Sequence, residues 1–343
     1  MSSDKSTPRV SVVIPNWNGL RWLDPCLNAL ERQVFRDFEV VIVDNGSVDA
    51  SVAYLHHRSQ ASGFPLRIMA LPSNIGFAAG MNVGMRASGA EYIAALNNDT
   101  EPSPGWLGAL VAAADADSTV GSVASTMLSL SEPRVIDTIG DGYRLDGRAY
   151  KIGNGNSPRL IVGPPFEVFG ACGGAALYRR AMLDDVGMFD ERYFAYMEDV
   201  DLAVRARLAG WTCLSVPDAV VLHAGSGSSG GAASDFSVRL ITKNIFATIL
   251  KSAPWPLMPF MFVTALFTVA GVVVVGPVIN RPAWVRLHMR ALLSGLGWAV
   301  VEAPAMLRSR RPTQRTTRIS ARQFMRLMRD SRELRNHYGK SAT

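Results

Sequence analysis

The chain has 343 residues, 48% hydrophobic and 19% charged, which is enough for one large domain or two small ones and excludes a disordered chain. Its three cysteines, Cys26, Cys172 and Cys213, are widely spaced and form no CxxC pair, which argues against a disulfide framework or a zinc site and for a reducing cytosol. The net charge of +6 conceals an asymmetry: residues 281–343 hold 14 Lys/Arg against 3 Asp/Glu, leaving a mildly acidic body and a basic end suited to an anionic surface, membrane or nucleic acid.

Residues 1–9 are polar and lack an apolar h-region, so no signal peptide is expected. Val10 to Ile14 is a mainly β-branched run, as for a strand buried on both faces. Pro15-Asn16-Trp17-Asn18-Gly19 breaks it, and Leu20 to Arg32 reads as a helix. Phe38 to Val43 is a second strand, ending in Asp44-Asn45-Gly46-Ser47; Asp49 can cap a helix over Ala50 to Gln60. Leu66 to Leu71 reads as a third strand, Phe77 to Ala87 as a helix and Glu91 to Leu96 as a fourth strand. Pro104 begins a helix to about Ala116, and Val120 to Ala124 follows as a fifth strand. This alternation with short links predicts a doubly wound, mostly parallel sheet.

From Asp137 to Pro165 the pattern loosens into a hairpin and loop insertion. Phe169 to Ala175 is rich in small residues, which allow a ligand close to the backbone. Helices are expected over Arg179 to Val186 and Glu198 to Ala209, with strand character over Trp211 to Val216 and Val220 to Leu222. The Gly/Ser-rich run from Ala224 to Gly231, directly after His223, is a candidate closing loop.

Residues 257–280 carry no charge and are long enough to cross a bilayer. A second apolar segment, Ala291 to Leu307, is shorter and contains Glu302. A single crossing would separate the body from the basic tail, so the two segments are expected to form a hairpin or to embed shallowly. The tail from Arg308 to Arg335 would then lie on anionic headgroups, with Phe324, Met325, Leu327 and Met328 in apolar contact. No aromatic interleaving suits bases, so nucleic acid ranks below lipid as a partner.

The polar groups after the strands are the chemical signal. Asn16 and Asn18 follow the first strand, Asp44 and Asn45 the second, Asn74 precedes the third helix, and Asn97-Asn98-Asp99 follow the fourth strand. In a parallel sheet these share the carboxyl edge, where ligands bind. Each alone is explained by an Asx turn; together they suit a base, a ribose and a diphosphate, with Asp44 toward base or ribose and Asp99 toward a metal held between phosphates. No Gly-x-x-x-x-Gly-Lys or Gly-x-Gly-x-x-Gly follows the first strand, which takes the main support from the P-loop and dinucleotide readings. Glu198, Asp199 and Asp201 open a helix, where its dipole favours acids; one of them facing the cleft can act as a general base. His223, after an apolar strand, is a metal ligand, a phosphate contact or merely structural.

These stretches resemble a known family. Ser11-Val12-Val13-Ile14-Pro15-Asn16-Trp17-Asn18, Val43 to Asp49, Asn74 to Asn82 and Leu96-Asn97-Asn98-Asp99 are similar to the motifs of family 2 inverting glycosyltransferases, and most similar to their rhamnosyltransferase-like branch, over about residues 9–225. The resemblance implies a GT-A fold, a nucleotide-sugar donor and Mg²⁺ or Mn²⁺. It implies that Pro15, Asn16, Asn18, Asp44, Asn45, Asn74, Gly76, Asn82, Asn97, Asn98, Gly173 and Gly174 form the donor side, Gly173 and Gly174 near donor or acceptor. Asp99 and His223 would hold the metal, with Asn97 replacing the first acid of the DxD motif. Glu198-Asp199 is similar to the family's ED motif, with Asp199 as base. The apolar end resembles the membrane-associating ends of relatives acting on lipid-linked or cell-envelope glycans.

The expectation is therefore an α/β GT-A domain over 1–240, membrane-associating helices over 241–307 and a basic tail over 308–343, working at the cytoplasmic face of the cell membrane. The leading donor is dTDP-rhamnose; a nucleotidyltransferase and an inactive membrane-anchored scaffold are the rivals. Oligomeric state is left open by the sequence.

Overall fold

The computed structural model describes residues 7–225, 234–279 and 282–338, with the side chains of 160, 272–279 and 282–287 outside that description. The expected closing loop after His223 lies outside it from residue 226 on. Strands are β1 (Val10–Asn16), β2 (Phe38–Asp44), β3 (Leu66–Ala70), β4 (Tyr92–Leu96), β5 (Thr100–Pro102), β6 (Val120–Ser129), β7 (Ile136–Thr138), β8 (Asp141–Tyr143), β9 (Ala149–Lys151), β10 (Phe166–Glu167), β11 (Ala175–Arg179) and β12 (Thr212–His223). Helices are α1 (Leu20–Glu31), α2 (Ser51–Ser59), α3 (Phe77–Ala87), α4 (Trp106–Asp115), α5 (Arg180–Val186), α6 (Glu198–Leu208), α7 (Asp235–Ser252), α8 (Met258–Ile279), α9 (Pro282–Thr316) and α10 (Ala321–Tyr338).

The main sheet runs β10-β12-β6-β11-β4-β1-β2-β3. β3, β2, β1 and β4 are parallel, and the chain steps outward from β1 to β3 before returning to β4 on the other side of β1. That reversal opens a crevice beyond the carboxyl ends of β1 and β4. Every residue of β2 and nearly all of β1 is buried, as both faces are covered by helices. Close covering needs small residues: a Cβ on Gly84 of α3 would stand 2.4 Å from Val13 and 3.1 Å from Val43.

The sheet is mixed rather than mostly parallel. β11 is antiparallel to both β4 and β6, while β6 and β12 are parallel. β11 arrives from the 137–165 insertion instead of a crossover helix, so nothing forces it parallel. β6 is also longer than expected, ending at Ser129, and β12 joins two expected strands across a register shift between Val216 and Val220, where Pro217 lies.

The C-terminal helices do not stand apart from this body. The boundary expected at 240 falls inside α7, most of which is buried, and a shared apolar cluster joins Phe246 and Ile249 of α7 to Val204 and Leu208 of α6, Met306 of α9 and Phe324 of α10. Phe324 and Met328, expected on lipid, instead pack inward with Tyr143 and Phe169, because the insertion presents an aromatic surface to α10. Met325 is exposed. Among the described residues no helix is long and apolar enough to cross a membrane. Exposed apolar side chains nevertheless mark α8 (Phe260, Val263, Phe267) and α9 (Leu293, Val300, Val301).

Candidate active site

Three strand ends build the first part of the site. Asn16 at the end of β1 donates from Nδ2 to Asp44 Oδ2 (2.8 Å), and its Oδ1 accepts from Asn98 Nδ2 after β4 (2.7 Å). Ser47 completes the carboxylate, its N donating to Asp44 Oδ1 (2.9 Å) and its Oγ to Asp44 Oδ2 (2.7 Å). Asn18 ties the two loops together: its N donates to Ser47 Oγ and its Oδ1 accepts from Val48 N, both 2.8 Å. Asn45 Nδ2 donates to Asn74 Oδ1 (3.1 Å) and Gly76 O (3.0 Å), and Asn74 Oδ1 also accepts from Gly76 N. Gly76 has φ +92°, open to glycine and strained for other residues. The amides thus form one hydrogen-bonded lattice along the edge, with Pro15 the residue before the last of β1, in register with Val43.

The second part is an ordered relay of charges. β5 pairs with β12 so that Thr100 faces His223, and Ala224 N donates to Asp99 O. This brings His223 Nε2 to 3.5 Å from Asp99 Oδ1. On its other side His223 Nδ1 meets Asp137 Oδ2 at 2.9 Å, and Asp137 Oδ1 accepts from Lys151 Nζ at 2.5 Å. Burial favours the neutral ring, but the two carboxylates outweigh it and raise the imidazole to about 9. Burial likewise opposes ionisation of Asp137, yet His223 and Lys151 hold it at about 2. The carboxylates therefore draw positive charge to the point between Asp99 and His223. Once a cation displaces the Nε2 proton, the Asp99 oxygen and the His223 nitrogen, oriented by Asp137, form a donor set that fits Mg²⁺ or Mn²⁺.

The third part lies at the start of α6. Asp199 Oδ2 accepts from Gly173 N and Oδ1 from Val200 N, both at 2.8 Å. The next residue, Gly174, accepts from Asn97 N at 2.8 Å, so one dipeptide ties the carboxylate of α6 to the β4 motif. A Cβ on Gly173 would stand 3.3 Å from Asp199 Cβ. Burial raises Asp199 above the usual carboxylate range, with its two backbone donors working the other way. Asp141 and Cys172 bring their ligand atoms within 4.8 Å of those of Asp199 and of each other. Burial, then the nearby Asp199 charge, pushes Asp141 well up; burial does the same to the Cys172 thiol, keeping it protonated and inert. Asp199, with two N–H donors, carries the charge of this group and can take a proton.

The loop entering α6 is constrained. Phe194, Tyr196 and Met197 have φ of 66°, 65° and 69°. Asn244 of α7 holds it: its Nδ2 donates to the carbonyls of Tyr193 (3.2 Å), Ala195 (3.0 Å) and Tyr196 (2.6 Å).

One expected site residue stands elsewhere. Asn82 is buried in α3 and spent on structure: its Nδ2 donates to Phe189 O and Glu191 Oε1, and its Oδ1 accepts from Phe189 N. Its helical position turns it away from the strand ends toward the 189–191 turn. Glu198 adjoins Asp199 at the start of α6 and is buried, its Oε2 without a hydrogen-bond partner among the described residues; burial, then the nearby Asp199, pushes it well up. Asn97 keeps a buried Oδ1 that likewise has no such partner. The sequence reading missed Ser47, Asp137, Asp141, Lys151 and Asn244. Ser47 stood inside a quoted motif, and Asp141 was marked only by flanking glycines.

The sequence profile described as "Glycosyl transferase family 2" matches residues 11–187. The chain is 28% identical over 239 residues to the N-acetylglucosaminyl-diphospho-decaprenol L-rhamnosyltransferase of Mycobacterium tuberculosis, covering 61% of this chain and 73% of the relative. It is 28% identical over 233 residues to the pre-mycofactocin glycosyltransferase of the same organism, covering 62% of this chain and 42% of that one. In fold it is similar to the mannosyltransferase PcManGT from Pyrobaculum calidifontis, solved with GDP-Man and Mn²⁺ (TM-score 0.54, 17% identity, 91% and 86% of the two chains). It is also similar to GalNAc-T7 with UDP, GalNAc and Mn²⁺ (TM-score 0.61, 15% identity, 88% and 58%).

Proposed function

We propose that this chain, which belongs to glycosyl transferase family 2, is a metal-dependent inverting enzyme that moves a sugar from a nucleotide-sugar donor to a lipid-linked or cell-envelope glycan. The observation that carries the reading is the pairing of a held carboxylate, Asp199, with the Asp99–His223 pair through the Gly173-Gly174 dipeptide. Rhamnose from dTDP-rhamnose is the leading donor, supported by the rhamnosyltransferase relative.

In this reading the lattice of Asn16, Asp44, Asn45 and Asn74 seats the nucleoside. Asp99 and His223 would hold Mg²⁺ or Mn²⁺, which would supply positive charge to neutralise a diphosphate. Asp199 takes the proton of an acceptor hydroxyl, whose oxygen attacks the anomeric carbon opposite the leaving oxygen, so the configuration inverts. The two N–H bonds to Asp199 fix its aim, and its raised pKa makes it a better base. The exposed apolar residues of α8 and α9 support association with the cytoplasmic face of the cell membrane, where a lipid-linked acceptor is presented.

A donor screen measuring nucleoside diphosphate release, with membrane extract as acceptor and with or without Mn²⁺, tests the reading. Asp199→Asn is expected to slow transfer by roughly 10²–10⁴-fold while leaving donor binding in place. Asp99→Ala is expected to remove the Mn²⁺-dependent part of donor binding. Undiminished turnover in both variants would refute the mechanism.

A further inference from the structure

A second cavity lies away from the strand ends, between the turn before α6 and the seam of α7 and α9. It has a volume of about 360 Å³ and is lined by Arg192, Arg239 and Lys243 together with Phe194, Phe236 and Trp298. Its cations are unequal. Arg192 is already committed to Asp190 and to Ser309 Oγ. Lys243 is buried, yet among the described residues its Nζ makes one hydrogen bond, to Arg192 O at 2.7 Å, and stands 4.2 Å over the Trp298 ring. Neither Lys243 nor Arg239 forms an ion pair with a carboxylate among the described residues. Glu191 also lines the cavity but is bound to Arg86 and Asn82.

A buried ammonium beside a second unneutralised cation is a costly arrangement without a counter-charge. Burial and the neighbouring Arg239 pull Lys243 down to about 8, with Asp190 and Glu302 opposing the shift only in part. An anion between Lys243 and Arg239 would relieve that cost. The walls add a second requirement. Ser294 and Trp298 line the cavity from α9, and Val301, 75% exposed, follows them at helical spacing on the same face. A ligand matching both features has an anionic head and a hydrocarbon chain.

We propose that this cavity binds the diphosphate of a polyprenyl-diphosphate acceptor, Lys243 and Arg239 holding the phosphate oxygens and the α9 face receiving the first isoprene units. The inference rests on the lipid-linked acceptor of the function proposed above. The location suits it: Phe194 packs against Gly76 at the strand-end edge, and the same turn runs on to Asp199, so a glycan attached to that head is presented beside the base.

Full-length protein should be titrated with phosphatidylcholine vesicles doped with a polyprenyl diphosphate, with vesicles carrying the same fraction of phosphatidylglycerol, and with inorganic pyrophosphate. Wild type is expected to prefer the polyprenyl diphosphate vesicles, and exposed Arg239→Ala to weaken that binding by about tenfold. Arg239→Glu combined with Lys243→Met should abolish the preference, and nucleotide-sugar binding should not change in any variant. Equal binding of both vesicle types by wild type, or an unaltered preference in Arg239→Ala and the double variant, would overturn the proposal. Pyrophosphate binding as tightly as the vesicles would also overturn it, by showing that the chain is not recognised. Turnover on a lipid-linked acceptor that ignores Arg239 and Lys243 defeats this inference alone; absence of donor turnover in wild type defeats the function it rests on.

Discussion

His223 reaches Asp99 because two strands meet in register, and Asp137 fixes which nitrogen it offers. With Nδ1 engaged by Asp137, Nε2 is the atom facing Asp99. An imidazole aimed in this way loses little freedom on binding a cation. Asp137→Asn keeps the shape but weakens the orienting charge. It is expected to lower Mn²⁺ affinity by roughly 10–100-fold, read by calorimetric titration of the metal with no donor present. Unchanged affinity would mean that His223 serves only the fold. Asp99 and His223 were legible as candidates from residue type and position after strands, and Asp199 from its place at the start of a helix. Asp137 was not, because a carboxylate in a loosely patterned insertion carries no periodic signal.

At the scale of elements, α7 is what shapes the entrance to α6. Its apolar stripe would serve in any packed helix, but Asn244 instead turns its amide to three carbonyls of a turn with three left-handed residues. Removing the amide takes this donor from the Ala195 and Tyr196 carbonyls, while Tyr193 O keeps its bond from Ala195 N. Asn244→Ala is expected to lower stability by about 1–3 kcal/mol and to speed amide exchange around 193–199 ahead of global unfolding. A variant with wild-type exchange in that turn would show that the turn holds itself. The strands β1 to β4 and helices α1 to α4 could be read in order, since period and punctuation mark them locally. β11 could not be placed: its direction depends on how the insertion returns to the sheet, which is a long-range choice.

Across the whole molecule, a buried network joins the catalytic body to the C-terminal helices. Lys251 Nζ donates to Asp190 and Asp201, both at 2.7 Å, and Arg205 Nε donates to Asp201 at 2.9 Å. Burial opposes charge on both acids, yet Lys251 and its neighbouring arginines hold them below the usual carboxylate range. Their folded pKa values lie below the unfolded ones, so their stabilisation is present above about pH 4 and is lost as pH falls through the folded values. Asp201→Asn leaves Lys251 and Arg205 short of a counter-charge; it is expected to cost roughly 3–5 kcal/mol near neutral pH and to flatten the acid limb of stability against pH. Denaturant unfolding across pH tests this, and an equally steep acid limb in the variant would remove the network from the account.

The sequence by itself determined the parallel first half of the sheet, the edge on which the polar groups gather and the family to which the chain belongs, because these are written in local period and in contiguous motifs. Tertiary structure decided that Asp199 is held by two backbone N–H groups, that the Glu198 Oε2 is buried without a hydrogen-bond partner among the described residues, and that Asn82 braces a turn. It also set Phe324 and Met328 inward and joined the C-terminal helices to the body. Those outcomes depend on burial and on partners far apart in the chain, and neither is a property of a single stretch of residues.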